Sequence, residues 1–300
     1  MFMQPSSTFH NKLLKKNFVF TAETTPPDSS DKNVLLKKIS SLKDIADAIN
    51  VTDSPGANVH MSSLVASIIL AQNSFEPILQ FTVRDRNRLA LQGDLLGAAA
   101  LGVHNILCLS GDDPSNGDQP QTKSVNDIDS LGLVSTANMM KDKSQFPSGR
   151  KIDPPPYFFI GGAEVPTEGK PDPKKIKTKI DNGVNFFQTQ YVFDHIVLKE
   201  YMKILEDEGI FEKAFFIIGL GPFSSAKSAK WMNDNLFGVN VPDKIINRLN
   251  QSKDPLDESM KICLELIDLF KGINGVNGVH LMGPNKENII AEIIKNSKKN

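Results

Sequence analysis

Cysteine is almost missing. The 300 residues hold two, Cys108 and Cys263, each set among apolar neighbours. Two isolated thiols form neither a paired-cysteine metal motif nor a disulfide framework. They read as small buried hydrophobes of a protein kept in a reducing compartment. Charge of either sign is not in excess: 34 Lys and Arg face 35 Asp and Glu, a formal net charge of −1. Such a chain has no bulk electrostatic reason to bind nucleic acid or an anionic membrane surface, although a local basic pocket stays open. No run approaches the ~18 apolar residues of a membrane helix. The N-terminal stretch 1–16 is polar and basic without the apolar core of a secretion signal, so a soluble cytoplasmic protein is the expectation. The five histidines (His10, His60, His104, His195 and His280) are scattered, and no set has metal-ligand spacing, so no metal site is expected. No serine stands in a nucleophile elbow, and no G-x-G-x-x-G follows the first strand candidate.

What is present is a regular beat. Apolar residues make up 40% and charged residues 23%, the balance of a soluble globular chain. Short β-branched or aromatic runs occur at 18–24, 48–52, 78–83, 105–109, 157–161, 185–191, 214–219 and 278–282. Amphipathic stretches lie between them at 31–45, 62–72, 88–101, 127–140, 172–182, 194–208, 226–235, 254–270 and 286–295. Strand and helix alternating without a composition break imply parallel strands covered by helices. Eight such units in this length fit a single α/β domain, a (β/α)8 TIM barrel over 17–300 preceded by an N-terminal extension at 1–16. The competitor is an open doubly wound sheet, which would carry the glycine fingerprint this chain lacks.

Barrel chemistry gathers at the C-terminal strand ends. Glu23 closes an otherwise apolar first run. It is either an ordinary strand-end carboxylate or a partly desolvated acid suited to donating a proton near neutral pH. Asp112 and Asp113 follow Gly111, either as a solvated turn or with Asp112 turned inward toward a developing positive charge. Gln188 and Gln190 alternate on the sixth run and so face the same way. In a strand expected to be apolar, two inward glutamines point to amide hydrogen bonds with a ligand. His280, in the eighth run, reads as a satisfied structural histidine.

These residues resemble a known family. Ala22-Glu23-Thr24-Thr25-Pro26-Pro27 is similar to the first-strand motif of methylenetetrahydrofolate reductases. The stretch 94–103 followed by Ser110-Gly111-Asp112-Asp113-Pro114 resembles that family's third helix and fourth strand. The stretch 177–184 running into Phe187-Gln188-Thr189-Gln190-Tyr191 resembles its sixth strand, and 219–230 its seventh-strand loop. The motifs fall in order from about 17 to about 295, the catalytic barrel alone.

The resemblance implies a flavin, FAD with FMN as the alternative, held at the strand ends. It implies reduction of 5,10-methylenetetrahydrofolate by NADH or NADPH in ping-pong fashion, within one-carbon metabolism and methionine biosynthesis. Glu23 would be the general acid. Asp112 would face both the flavin and the folate cation. Gln190 and Phe223 would contact folate. Thr52, Gln80, Arg84, Gly111, Asp172 and Lys179 would join Asp112 in holding the cofactor, with Asp172 and Lys179 seven residues apart on one helix face. The implied partners are a folate substrate, a second copy of the chain in a homo-oligomer, and an electron-donor protein as the alternative to a nicotinamide.

The chain also departs from the bacterial pattern. Gln80 stands where histidine is common, Asp53 where a tyrosine usually follows the threonine, and Gly161-Gly162-Ala163-Glu164 where the family reads Ala-Ala-Tyr-Pro. Ala226 stands where the family carries a phenylalanine. Two other readings stay open: a folate barrel that passes methyl groups to a corrinoid partner, and a non-catalytic subunit of a folate-redox complex.

Overall fold

The computed structural model describes residues 7–166 and 171–299. Eight parallel strands close a barrel in the order β1 to β8: β1 (Val19–Thr24), β2 (Ala48–Val51), β3 (Pro77–Thr82), β4 (Asn105–Leu109), β5 (Phe159–Glu164), β6 (Phe186–Tyr191), β7 (Phe215–Leu220) and β8 (Val276–Leu281). The barrel expectation therefore holds. Eleven α-helices lie among the described residues: α1 (Thr8–Leu14), α2 (Lys32–Ile39), α3 (Ser63–Gln72), α4 (Arg88–Ala100), α5 (Ser130–Asp142), α6 (Pro173–Asp181), α7 (His195–Asp207), α8 (Ala226–Asn235), α9 (Asp243–Gln251), α10 (Pro255–Lys271) and α11 (Glu287–Ser297). None is long and apolar enough to cross a membrane.

Two local differences from the sequence expectation have physical causes. β5 starts at Phe159, two residues past the expected start at 157, because Tyr157 is tied through its hydroxyl to His10 Nδ1 outside the ladder. Tyr157 instead packs against the rings of His10 and His104 at the lower end of the barrel. The helix expected at 31–45 ends as α2 at Ile39, followed by a single 3-10 turn and by Asp44 at φ +59°.

Period-2 alternation sorts each strand into an outward face against the helices and an inward face. On β1 the outward residues Phe20 and Ala22 join the helix-packed core, while Val19 joins the barrel's inner cluster. The inner cluster of Val19, Ala48, Ile78, Leu107, Phe159, Phe186 and Ile217 is closed from below by Phe9 and Leu13 of α1. Ser7 caps that helix by accepting from the His10 N–H. Phe9 is fully buried and meets Phe159 and Phe186 edge-on at 5.7 and 5.5 Å. Gly161 makes room for this floor, since a Cβ there would sit 2.4 Å from Phe186 Cζ.

Directly above the apolar floor lies a polar layer. Thr21, Asn50, Gln188 and His280 are each at most 3% exposed. The next inward positions, including Glu23, Gln80 and Thr82, line the upper mouth.

Candidate active site

At the C-terminal mouth a cavity of about 410 Å³ opens, within the range of small-molecule sites. Glu23, Thr52, Gln80, Gly111, Asp112, Gln188 and Gln190 all line it, together with His280. The sequence separates these residues by more than 250 positions, and the closed barrel brings them to one rim.

Glu23 is held through one oxygen. Gln80 Nε2 donates to its Oε2 at 2.9 Å, and His280 Nε2 stands 3.6 Å from the same atom. Beneath it, Thr21 Oγ1 lies 2.8 Å from His280 Nδ1. Gln188 Nε2 donates to Thr21 Oγ1 at 3.1 Å and to Asn50 Oδ1 at 3.0 Å, and Asn50 Nδ2 donates back to Gln188 Oε1 at 2.6 Å. The Gln188 amide is therefore committed to Asn50 and Thr21, not to a ligand as the sequence suggested. Gln190 keeps a place on the rim, where Nε2 donates to the Phe237 carbonyl at 3.3 Å and Oε1 accepts from the Tyr191 N–H at 3.0 Å. Burial, with the Glu23 charge beside it, raises the Tyr191 phenol far above its usual range, so Tyr191 stays neutral.

The wall beside β2 and β3 rests on a buried ion pair. Asp53 accepts from Thr82 N–H at 3.0 Å, Thr82 Oγ1 at 2.9 Å, Ser63 Oγ at 2.9 Å and Arg86 Nη1 at 2.8 Å. Burial alone would raise its pKa. The Arg86 bond and charge and the other donors outweigh that and hold it below the usual carboxylate range.

Arg84 is 3% exposed. It donates to Asp85 at 2.8 and 2.7 Å and to the Ser54 and Asp112 carbonyls at 3.3 Å, so it clips three loops together beneath the cavity rim. Gly111 sits against this clip at φ +90°, where a Cβ would come 2.9 Å from Arg84 Cβ. The Asp112 carboxylate turns to the Gly56 N–H at 2.6 Å and so ties the rim to the loop after β2. Asp113 accepts from the Ser115 N–H and caps the single 3-10 turn Pro114–Asn116 that follows β4.

Besides Arg84, which lies behind the rim, three expected site residues do not line this cavity. Lys179 donates to the Ala163 carbonyl at 2.7 Å and Glu164 Oε1 at 2.6 Å. It lines a neighbouring depression of about 260 Å³ that shares Leu109, Ser110 and Ala163 with the first. Asp172 is the N-cap of α6, accepting from Lys174 and Lys175 N–H groups. It stands outside the helix rather than on a shared face with Lys179. Phe223 is buried against Phe193 at 4.6 Å, and its N–H is tied to Ser259 Oγ of α10 at 2.6 Å. These bonds draw its ring into the helix-packed core and away from the cavity. Among the described residues no group of three or more His, Cys, Asp or Glu is arranged to hold a metal.

The sequence reading missed Thr21, Asn50 and the place of His280. The available signal was polar residues at alternate inward positions of strands that are otherwise apolar.

A family model described as methylenetetrahydrofolate reductase matches residues 8–298. The chain belongs to the methylenetetrahydrofolate reductase family. It is 26% identical over 263 residues to methylenetetrahydrofolate reductase 2 of Schizosaccharomyces pombe, covering 81% of this chain and 39% of that protein. It is 25% identical over 247 residues to a probable methylenetetrahydrofolate reductase (NADPH) of Caenorhabditis elegans, covering 79% and 34%. The chain thus spans less than two fifths of these reductases. Among solved structures its fold is similar to an uncharacterized protein from Clostridium thermocellum that binds two copies of 5-methyl-5,6,7,8-tetrahydrofolic acid. The TM-score is 0.66 at 16% identity, covering 98% of this chain and all of that one.

Proposed function

We propose that this chain reduces 5,10-methylenetetrahydrofolate to 5-methyltetrahydrofolate, with Glu23 as the general acid. The observation that carries the reading is the state of Glu23. The Gln80 amide donates to Oε2, His280 Nε2 stands nearest the same atom, and among the described residues nothing donates to Oε1. A carboxyl with one anchored and one open oxygen at a cavity is placed to hand over a proton.

The chemistry follows from the substrate. Opening its five-membered ring requires a proton on the leaving nitrogen, and leaves a 5-iminium cation that accepts a hydride to become the methyl group. Glu23 supplies the proton through Oε1 and is then a carboxylate held by Gln80. The Asp112 charge at the same rim favours the cation. The Gln190 Nε2 hydrogen not directed at Phe237 is left to bond the pterin.

A flavin, reduced by NADH or NADPH, would supply the hydride. The cavity suits its ring. Thr52, Gln80 and backbone groups around Gly111 offer the mixed donors and acceptors of an imide, with the small Ala163 beside them. Lys179 would meet a cofactor phosphate by exchanging Glu164 for it. Arg84 and Asp172 then serve by fixing the loop and the helix start that frame the cofactor, and Phe223 by backing the wall behind folate.

The protein as purified should carry yellow flavin and oxidise NAD(P)H in the presence of methylenetetrahydrofolate. A colourless chain that binds methyltetrahydrofolate without redox turnover would instead support methyl transfer to a corrinoid partner.

A further inference from the structure

The polar layer under Glu23 has a direction, read by counting hydrogens. In the structure's amide orientation Gln188 Nε2 uses both its hydrogens, one on Asn50 Oδ1 and one on Thr21 Oγ1. Thr21 Oγ1 therefore accepts from below. Its single hydrogen is left for the atom 2.8 Å away, His280 Nδ1. Thr21 and His280 are register partners on adjacent strands, β1 and β8, so their contact is built into the barrel closure. Thr21 and His280 are 0% and 2% exposed, which leaves water little part in the arrangement. With Nδ1 accepting, a neutral imidazole carries its proton on Nε2, the nitrogen that faces Glu23 Oε2 at 3.6 Å. That separation is longer than a hydrogen bond, but contacts of this kind tighten when substrate fills a site.

We infer that the Asn50–Gln188–Thr21 chain sets the His280 tautomer, and that this tautomer decides which oxygen of Glu23 carries the transferable proton. With Nε2–H and the Gln80 amide both aimed at Oε2, a proton on that oxygen would confront two donors. It sits instead on Oε1, the oxygen open to the cavity. With the opposite tautomer, bare Nε2 would draw the proton onto Oε2, between carboxyl and imidazole and out of reach of a ligand. His280 is thus a positioning residue for Glu23, and Thr21 is a positioning residue for His280. The functional part of this inference rests on Glu23 being the acid; the tautomer itself does not. The other titratable groups near the pair are Tyr191 from β6 and, at the rim, Asp53, Asp112 and Glu164. Asn50 from β2, Gln80 from β3 and Gln188 from β6 are neutral.

The test has two arms. The first is nitrogen NMR of the whole protein labelled with 15N-histidine, with His280 assigned by its loss in His280→Asn. The expected result is a ring protonated on Nε2 and bare on Nδ1. A ring protonated on Nδ1 overturns the inference whatever the activity.

The second arm compares Thr21→Val, which keeps the shape and deletes the donor, with Thr21→Ser, which keeps the donor, and with Glu23→Gln. Thr21→Val should lose at least about tenfold in folate turnover, a part of the ~100-fold or more carried by a general acid. It should shift the pH profile of that turnover and leave NAD(P)H oxidation with an artificial acceptor unchanged. Thr21→Ser should restore both rate and profile. A Thr21→Val protein with the wild-type rate and pH profile overturns the positioning role, provided Glu23→Gln is inactive. If Glu23→Gln keeps full turnover, the acid assignment fails instead, and the NMR result stands alone on the tautomer. Should Thr21→Val not fold, the NMR arm on the unaltered chain decides.

Discussion

Phe9→Ala removes the ring that closes the barrel from below. Phe9 is fully buried, and its loss can be worked from its surroundings. Burying a phenylalanine side chain stabilises by roughly 1.5–3 kcal/mol. Each of the two edge-on contacts, to Phe159 and Phe186, adds about 0.5–1.5 kcal/mol. Together these give about 2.5–6 kcal/mol, a range centred on the ~3–5 kcal/mol that phenylalanine-to-alanine core substitutions cost. The floor cannot collapse to fill the gap, because Phe159 and Phe186 already stack on each other at 4.8 Å. A seven-residue helix is marginal by itself, so α1 depends on this packing. Urea unfolding followed by circular dichroism should therefore show the midpoint fall by an amount equivalent to about 3–5 kcal/mol, with Phe9→Leu losing about a third of that. The polar layer separates the floor from the mouth, so kcat and KM should stay within about twofold. A loss below about 1 kcal/mol would refute the plug, and a large change in kcat with intact stability would refute the separation of floor and site.

Asp53→Asn strips the buried partner from Arg86 and should destabilise by about 3–5 kcal/mol in the same urea assay, whereas removing an exposed pair such as Lys203–Asp207 should cost under about 1 kcal/mol. The pKa values of His10 and His104 are lowered by burial. The unfolded chain then binds more protons than the folded one below the ordinary histidine pKa of about 6.5. Stability should accordingly fall as pH drops from 7 toward the lowered values, and His104→Gln should flatten that fall in melting temperature; an unchanged slope contradicts the assignment. Gly111→Ala forces a Cβ to 2.9 Å from Arg84 Cβ at a left-handed φ, so it should cost about 1–3 kcal/mol of stability and weaken flavin retention on a desalting column.

The barrel was legible because each strand is a short β-branched or aromatic run bounded by turn residues, with an amphipathic stretch after it. The place of Glu23 at the cavity was legible because the C-terminal end of a barrel strand opens on the mouth. The rest depended on contacts that sequence separation hides. Asn50 and Gln188 meet across the barrel from 138 positions apart. His280 acquires its meaning only when β8 closes beside β1. α1 offers just Phe9 and Leu13 as a pattern, too few to announce a helix, yet they fill the floor. α9, Asp243–Gln251, lies beyond the strand–helix beat as an added helix before α10 and so was not anticipated. Phe223 matched a family position, but Ser259 and Phe193 decide where its ring goes.

The most direct test of the central claim is turnover of methylenetetrahydrofolate by Glu23→Gln, with flavin content and NAD(P)H oxidation measured on the same preparation. The account predicts unchanged flavin, unchanged reduction by NAD(P)H, and a loss of ~100-fold or more in folate turnover. Folate turnover at the unaltered rate with flavin bound would contradict it.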